Sequence, residues 1–241
     1  MRPSLEPDNH AALLDGRYRG LDGEALLRPL LEREFPGQIA LLSSFGAESA
    51  LLLHMVARLD PSVPVIFLDT GKLFGETLRY RDALVARLGL RALRVVAPDP
   101  AQVARRDPDG TLWHADADAC CRLRKVEPLE RALAPFAATI SGRKRYQGGS
   151  RATLRTIEAV GGRIQINPLA AFTRERIARE IAARNLPPHP LEADGFLSIG
   201  CMPCTDRVAP HEDPRAGRWR GLAKDECGIH LAPPRGSGGP W

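Results

Sequence analysis

The chemistry readable in this 241-residue chain starts with five cysteines. Four come as two pairs, Cys120-Cys121 and Cys201-x-x-Cys204, and Cys227 stands alone near the C-terminus. Adjacent cysteines rarely bond to each other, and a reducing compartment disfavours disulfides. Two dithiol pairs 80 residues apart read instead as a four-thiolate metal site. Soft thiolates select zinc or iron–sulfur clusters over hard cations. Consecutive cysteines must turn both sulfurs toward one object, which is tight geometry around a single tetrahedral zinc. A cubane receives them on separate irons, so the spacing favours [4Fe–4S] over zinc.

Cys227 lies in Glu226-Cys227-Gly228-Ile229-His230. A spare thiol in a tail is the plainer reading. Against it, the segment is polar and flanked by glycine, unlike a buried structural cysteine. Arg215, Arg218 and Lys224 are near enough in sequence to favour the thiolate. That makes a mobile nucleophile the sharper expectation. Two further polar stretches follow apolar runs. Ser43-Ser44-Phe45-Gly46-Ala47-Glu48-Ser49 and Leu68-Asp69-Thr70-Gly71 stand where strands end and helices begin. Such turns cap helices or bind anions, since helix N-termini present unpaired N–H groups. Asp69 fits either use. The first turn is neither a GxGxxG nor a Walker loop.

The elements that must position these residues alternate. Strands are expected over 38–44, 63–71, 91–98, 138–142 and 163–169. Helices are expected over 22–37, 50–59, the stretch GETLRYRDALVARLG, KVEPLERALA (limited at its start by Pro128), RATLRTIEAV and 173–185. Residues 99–119 read as a polar connection. Alternation of this kind implies an α/β fold, a parallel sheet flanked by helices. Residues 1–20 read as a loose or weakly helical N-terminal arm, 21–231 as one domain that becomes loop-rich from about 186, and 232–241 as a flexible tail.

Lys and Arg number 34 against 29 Asp and Glu, a net charge of +5 that suits an anionic ligand. The basic residues cluster in RLRK, GRKR and RAGRWR, three separate loops, which suggests a local anion pocket rather than a nucleic-acid stripe. No apolar run approaches membrane-spanning length, and the N-terminus lacks a secretory pattern, so a cytoplasmic protein is expected.

The motifs SSFGAES, LDTG, CCRLRKVEPL, ISGRKRYQ, INPLA, SIGCMPC, RAGRW and ECGIHL, in this order, resemble the assimilatory adenylyl-sulfate and phosphoadenylyl-sulfate reductases. The resemblance runs from about Ser43 to Leu231. It implies an adenine-nucleotide alpha-hydrolase-like sheet. Members with both cysteine pairs hold a [4Fe–4S] cluster and generally act on adenylyl sulfate. Carried over by motif, Cys227 would be the nucleophile, with Cys120, Cys121, Cys201 and Cys204 as cluster ligands and Lys125 between cluster and substrate. Ser43, Ser44, Gly142, Arg151, Arg215, Arg218 and His230 would contact the nucleotide's phosphate and sulfate or the catalytic thiol. The ISGRKR stretch departs from the commonest pattern and leaves Arg143 and Arg145 without assigned roles. The resemblance also implies thioredoxin, or a glutaredoxin-like dithiol protein, as reductant in sulfate assimilation and cysteine biosynthesis. Neither nucleic acid nor membrane is expected as partner, and a homo-oligomer is compatible with the sequence. The rival readings are the same reaction on the 3′-phosphorylated nucleotide, an ATP-using sulfurtransferase or pyrophosphatase of the same fold, and a zinc-stabilised nucleic-acid-binding module. An SGGxDS-type loop would mark the second of these, and SSFGAES is not one.

Overall fold

The computed structural model describes residues 6–209, 211–222, 224 and 226–230. Six strands form one sheet: β1 (Ile39–Leu42), β2 (Val65–Leu68), β3 (Leu93–Val96), β4 (Ala138–Ile140), β5 (Ile157–Val160) and β6 (Arg163–Ile166). Their order is β3-β2-β1-β4-β6-β5. All neighbours run parallel except β5, which pairs antiparallel with β6 at one edge. The central strands are continuous apolar runs because both of their faces are covered. One face packs against α1 (Pro7–Arg17), α2 (Gly23–Pro29), α3 (Ser49–Leu59), α4 (Gly75–Leu88) and α9 (Arg174–Ala183), with Leu26, Leu27, Leu51, Val56, Leu84 and Ile177 in its core. A smaller cluster of Ala40, Ile66, Leu129, Leu133 and Phe136 lies under α8 (Glu127–Leu133), on the other face.

Three sequence expectations change. RATLRTIEAV was expected to be a helix, but it holds a 3₁₀ turn at Gly149–Arg151 and then strand β5. Gly161 and Gly162 have φ of +57° and +78°, which only glycine adopts without strain, and they close a two-residue hairpin into β6. That turn, together with pairing to β6, overrides the apparent helical period. Residues 99–119, expected as a polar connection, contain the short helices α5 (Pro100–Arg106), α6 (Leu112–Ala115) and α7 (Ala117–Cys121). The carboxylates of Asp99 and Asp116 cap two of them by accepting backbone N–H bonds. The third change is at the N-terminus, where Pro7–Arg17 forms helix α1 rather than a loose arm, and buries Ala11 and Leu14 in the main core. The tail 232–241 lies outside the described residues.

Between α7 and α8 the chain does not break. Arg122–Val126 form a π turn that joins the two helices. Pro128 lacks an N–H and would clash with the carbonyl four residues back, and a widened turn accommodates it. Lys125 thus lies one turn beyond Cys121 on the same continuous helical path.

Candidate active site

The carboxyl ends of β1, β2 and β4 open onto one cavity of about 230 Å³. It is lined by Ser43, Ser44, Thr70, Lys125, Gly142 and Arg151 from the sheet side, and by Cys201, Arg215, Arg218, Cys227 and His230 from the loop-rich C-terminal third. Most residues expected from sequence therefore meet in one place. Asp69 does not line it. Its carboxylate turns back and accepts the Gly71 N–H at 3.0 Å, while its neighbour Thr70 faces the cavity. Of the paired cysteines, Cys120, Cys121 and Cys204 do not line the cavity.

The first turn is held by its own strain. Phe45 has φ +50°, uncommon for a side chain of its size, and its ring is fully buried edge-on to Phe67 at 5.5 Å. The Phe45 N–H donates to Ser43 Oγ at 3.2 Å. Helix α3 starts at Ser49, whose N–H donates to the Gly46 carbonyl at 3.0 Å, and no side chain caps it at the cavity rim. Glu48, at its start, accepts from Lys144 Nζ at 2.6 Å and also from the Tyr146 hydroxyl. Burial would raise the Glu48 carboxyl, but Lys144, Tyr146 and Arg174 together outweigh it and the net shift is downward. This ties the turn after β1 to the loop after β4. Arg143 is buried there and pairs with Glu158 at 2.7 Å, while Arg145 donates to the Leu154 carbonyl at 2.7 Å. Arg143 thus ties the cavity wall to the β5 hairpin, and Arg145 holds the segment that leads into it.

Thr70 organises the cysteines. Its hydroxyl lies 3.2 Å from Cys201 Sγ, and its carbonyl accepts from Arg124 Nη1 at 2.9 Å. Arg124, three residues after Cys121, is buried and paired with buried Asp107 at 2.6 Å. The CxxC loop docks on the same turn, the Met202 N–H donating to the Lys72 carbonyl at 2.7 Å. The RAGRW segment closes over the loop: Arg218 Nε donates to the Cys204 carbonyl at 3.2 Å, and the Trp219 N–H donates to it at 3.3 Å.

All five thiols are free. Burial, and then the neighbouring Cys121, pushes Cys120 up to about 11. Burial also raises Cys121 and Cys204. Lys125 is buried; desolvation would lower it, yet the charges of Cys201, Cys227 and Cys121 together raise it. Lys125, Cys201 and Cys227 line the same cavity. Among the described residues no three His, Cys, Asp or Glu side chains gather closely enough to hold a metal ion. Trp219 Nε1 is a buried donor without a partner, and its residue lies against Cys204.

On the cavity's other wall, burial and the nearby Arg151 lower Arg215 to about 10. Desolvation, reinforced by Arg143, Arg151 and Arg215, holds His230 well below the usual imidazole value. Its Nδ1 lies 3.1 Å from Gln165 Nε2. So many cations around one cavity favour an anion. Cys227 reaches it because Ile229 packs on the cluster under α8 and Gly228, at φ +86°, turns the chain where a Cβ would come within 3.3 Å of Val126. Sequence reading missed Glu48, Thr70, Arg124, Trp219 and Glu226. All five stood inside quoted motifs, but the partners of Arg124 and Glu226 are distant in sequence and left no local signal.

Residues 38–207 match the family described as phosphoadenosine phosphosulfate reductase domain. A protein of Mesorhizobium japonicum named adenosine 5′-phosphosulfate reductase is 54% identical over 222 residues, covering 92% of this chain and 87% of its own length. One of Gloeobacter violaceus, named phosphoadenosine 5′-phosphosulfate reductase, is 41% identical and covers 89% and 90%. The crystal structure of a phosphoadenylyl-sulfate reductase from Candida auris, in complex with phosphate, superposes with a TM-score of 0.70 at 27% identity, over 85% of this chain and 98% of that one.

Proposed function

The chain belongs to the phosphoadenosine phosphosulfate reductase domain family, and from that membership we propose that it reduces adenylyl sulfate to sulfite and AMP through an S-sulfonated Cys227. The observation that carries this reading is that Cys227 shares one cavity with Arg151, Arg215, Arg218 and Lys125 at the strand ends. The nucleotide lies across those ends, its phosphosulfate toward the cations. The Cys227 thiolate attacks the sulfate sulfur; an S–S bond forms, the S–O bond to AMP breaks, and AMP leaves with the electron pair. A thiolate of a dithiol protein, thioredoxin or a glutaredoxin-like one, then attacks Cys227 Sγ and expels sulfite. The partner's second thiol resolves the mixed disulfide, leaving the partner oxidised and Cys227 reduced. Cations aimed at the leaving oxygen supply roughly 3 kcal/mol per well-placed donor. A reducing cytoplasm is the compartment that suits free thiols.

Cys120, Cys121, Cys201 and Cys204 would hold a [4Fe–4S] cluster. Two considerations support the fit: four thiolates are a donor set that suits iron, and among the described residues the buried Trp219 Nε1 lacks an acceptor that a cluster sulfur would supply. Bound there, the group would shape the field around Lys125, which stands toward Cys227. The choice of adenylyl sulfate over its 3′-phosphorylated form follows the cysteine pairs and the name of the Mesorhizobium relative; the Gloeobacter name keeps the second substrate as the alternative.

The test uses adenylyl sulfate labelled in its sulfate sulfur, without oxygen or dithiol. Wild-type protein should retain label until thioredoxin is added. Cys227→Ser should retain none while keeping its iron and visible absorption. Label held by the serine variant would overturn the nucleophile, and faster turnover of the 3′-phosphorylated nucleotide would overturn the substrate.

A further inference from the structure

The residue before the nucleophile already fills the anion site. Glu226 is buried, at 7% exposure. Arg151 Nη2 donates to its Oε2 at 3.0 Å and Arg151 Nε donates to its Oε1, a two-pronged carboxylate grip. Arg215 Nη2 stands 3.8 Å from the same Oε1. Arg151 is steadied in turn by Gln147 Oε1, which accepts from its Nη1 at 2.5 Å. Arg151 and Arg215 are two of the cations that the proposed reaction needs for the phosphosulfate.

We infer that Glu226 is a built-in competitor for the substrate's anionic tail, and that substrate binding displaces its carboxylate from Arg151 and Arg215. This deepens the proposed function and rests on the reading that the cavity takes adenylyl sulfate. The physical reason is charge. A guanidinium fork that grips one carboxylate has few donors left for a second anion. A phosphosulfate dianion drawn against a buried carboxylate would also meet like-charge repulsion in a setting of low dielectric. One of the two must leave, and the doubly charged ligand is the better match for the two arginines.

The exchange reaches the chemistry through the backbone. Glu226 and Cys227 are consecutive, with Cα atoms about 3.8 Å apart. A Glu226 carboxylate that leaves the arginines therefore moves within one residue of the thiol. In this arrangement the arginines are neutralised while Cys227 already lines the same cavity. Once the tail of the nucleotide takes the arginines, it lies beside that thiol. Glu226 is thus a positioning residue: it holds the arginines that the anion needs and so lowers affinity for the anion.

Binding measured without turnover tests this. In a Cys227→Ser background, calorimetry with adenylyl sulfate and with uncharged adenosine compares Glu226 with Glu226→Gln and Glu226→Ala. Both substitutions should tighten adenylyl sulfate about tenfold and leave adenosine within twofold. If the carboxylate merely orients the arginines, both substitutions weaken adenylyl sulfate or leave it unchanged, and the inference falls. Equal tightening of adenosine would also overturn it, by pointing to general loosening of the loop. Failure of the parent itself to bind adenylyl sulfate would overturn the proposed function and this inference with it.

Discussion

Replacing Asp107 with alanine strands a guanidinium inside the protein. Arg124 donates to Asp107 Oδ2 through Nε at 3.1 Å and Nη2 at 2.6 Å, and its remaining contact is the Thr70 carbonyl. The two side chains are 8% and 1% exposed, so water cannot take the carboxylate's place. Breaking a buried pair from one side costs about 3–5 kcal/mol, a large part of the roughly 5–15 kcal/mol that holds a domain together. At roughly 2–4 °C per kcal/mol for a chain of this size, the melting temperature should fall by about 6–20 °C. The assay is thermal unfolding by circular dichroism at neutral pH. The double variant Asp107→Leu with Arg124→Met, which removes both charges, should recover most of the loss. pH adds a second readout. Burial would raise the Asp107 carboxyl, but the Leu112 N–H and Arg124 outweigh it, so its folded-state value is depressed. Stability from the pair is then complete above the unfolded carboxylate value, about 4, and is lost as pH falls through the folded one. A loss under about 1 kcal/mol in the single variant, or a double variant no better than the single, would refute the reasoning.

Glu48→Gln should destabilise the fold by about 3 kcal/mol, because it leaves the buried Lys144 ammonium without its counter-charge; denaturant titration reads this, and the KM for nucleotide should rise as the two loops part. His189 is buried, accepts the Leu191 N–H on Nδ1 and faces Thr77 Oγ1 through Nε2, and burial holds it down at about 4. The unfolded chain takes up that proton first, so stability should decline as pH drops from about 6.5 toward 4 and stay flat above. His189→Gln should flatten this part of the stability–pH curve, and an unchanged slope would contradict the assignment.

Much of this arrangement was legible because buried parallel strands announce themselves. IALL, VIFL and ATI are apolar runs that stop at small polar residues, and that change marks where a covered sheet ends and its ligand face begins. The cysteine pairs were visible as spacing alone. Strand β5 was not, since Leu154 and Ile157 fall at a helical interval and only the Gly161-Gly162 turn with β6 beside it decides otherwise. The helices in 99–119 were signalled by the capping carboxylates Asp99 and Asp116, but each is too short to show a period. The links that steady the site join residues far apart in the chain: Arg124 to Thr70 across 54 positions, Arg151 to Glu226 across 75, Lys144 to Glu48 across 96. Such pairings exist only after the sheet has brought the strand ends together.

One threonine serves as datum for both halves of the thiol set. Thr70 meets Cys201 through its hydroxyl, and through its carbonyl it meets the guanidinium just downstream of Cys121. Drift in the turn after β2 would carry the two pairs along as a unit and preserve the gap between them. Their mutual separation is better protected against mutation than their placement on the sheet.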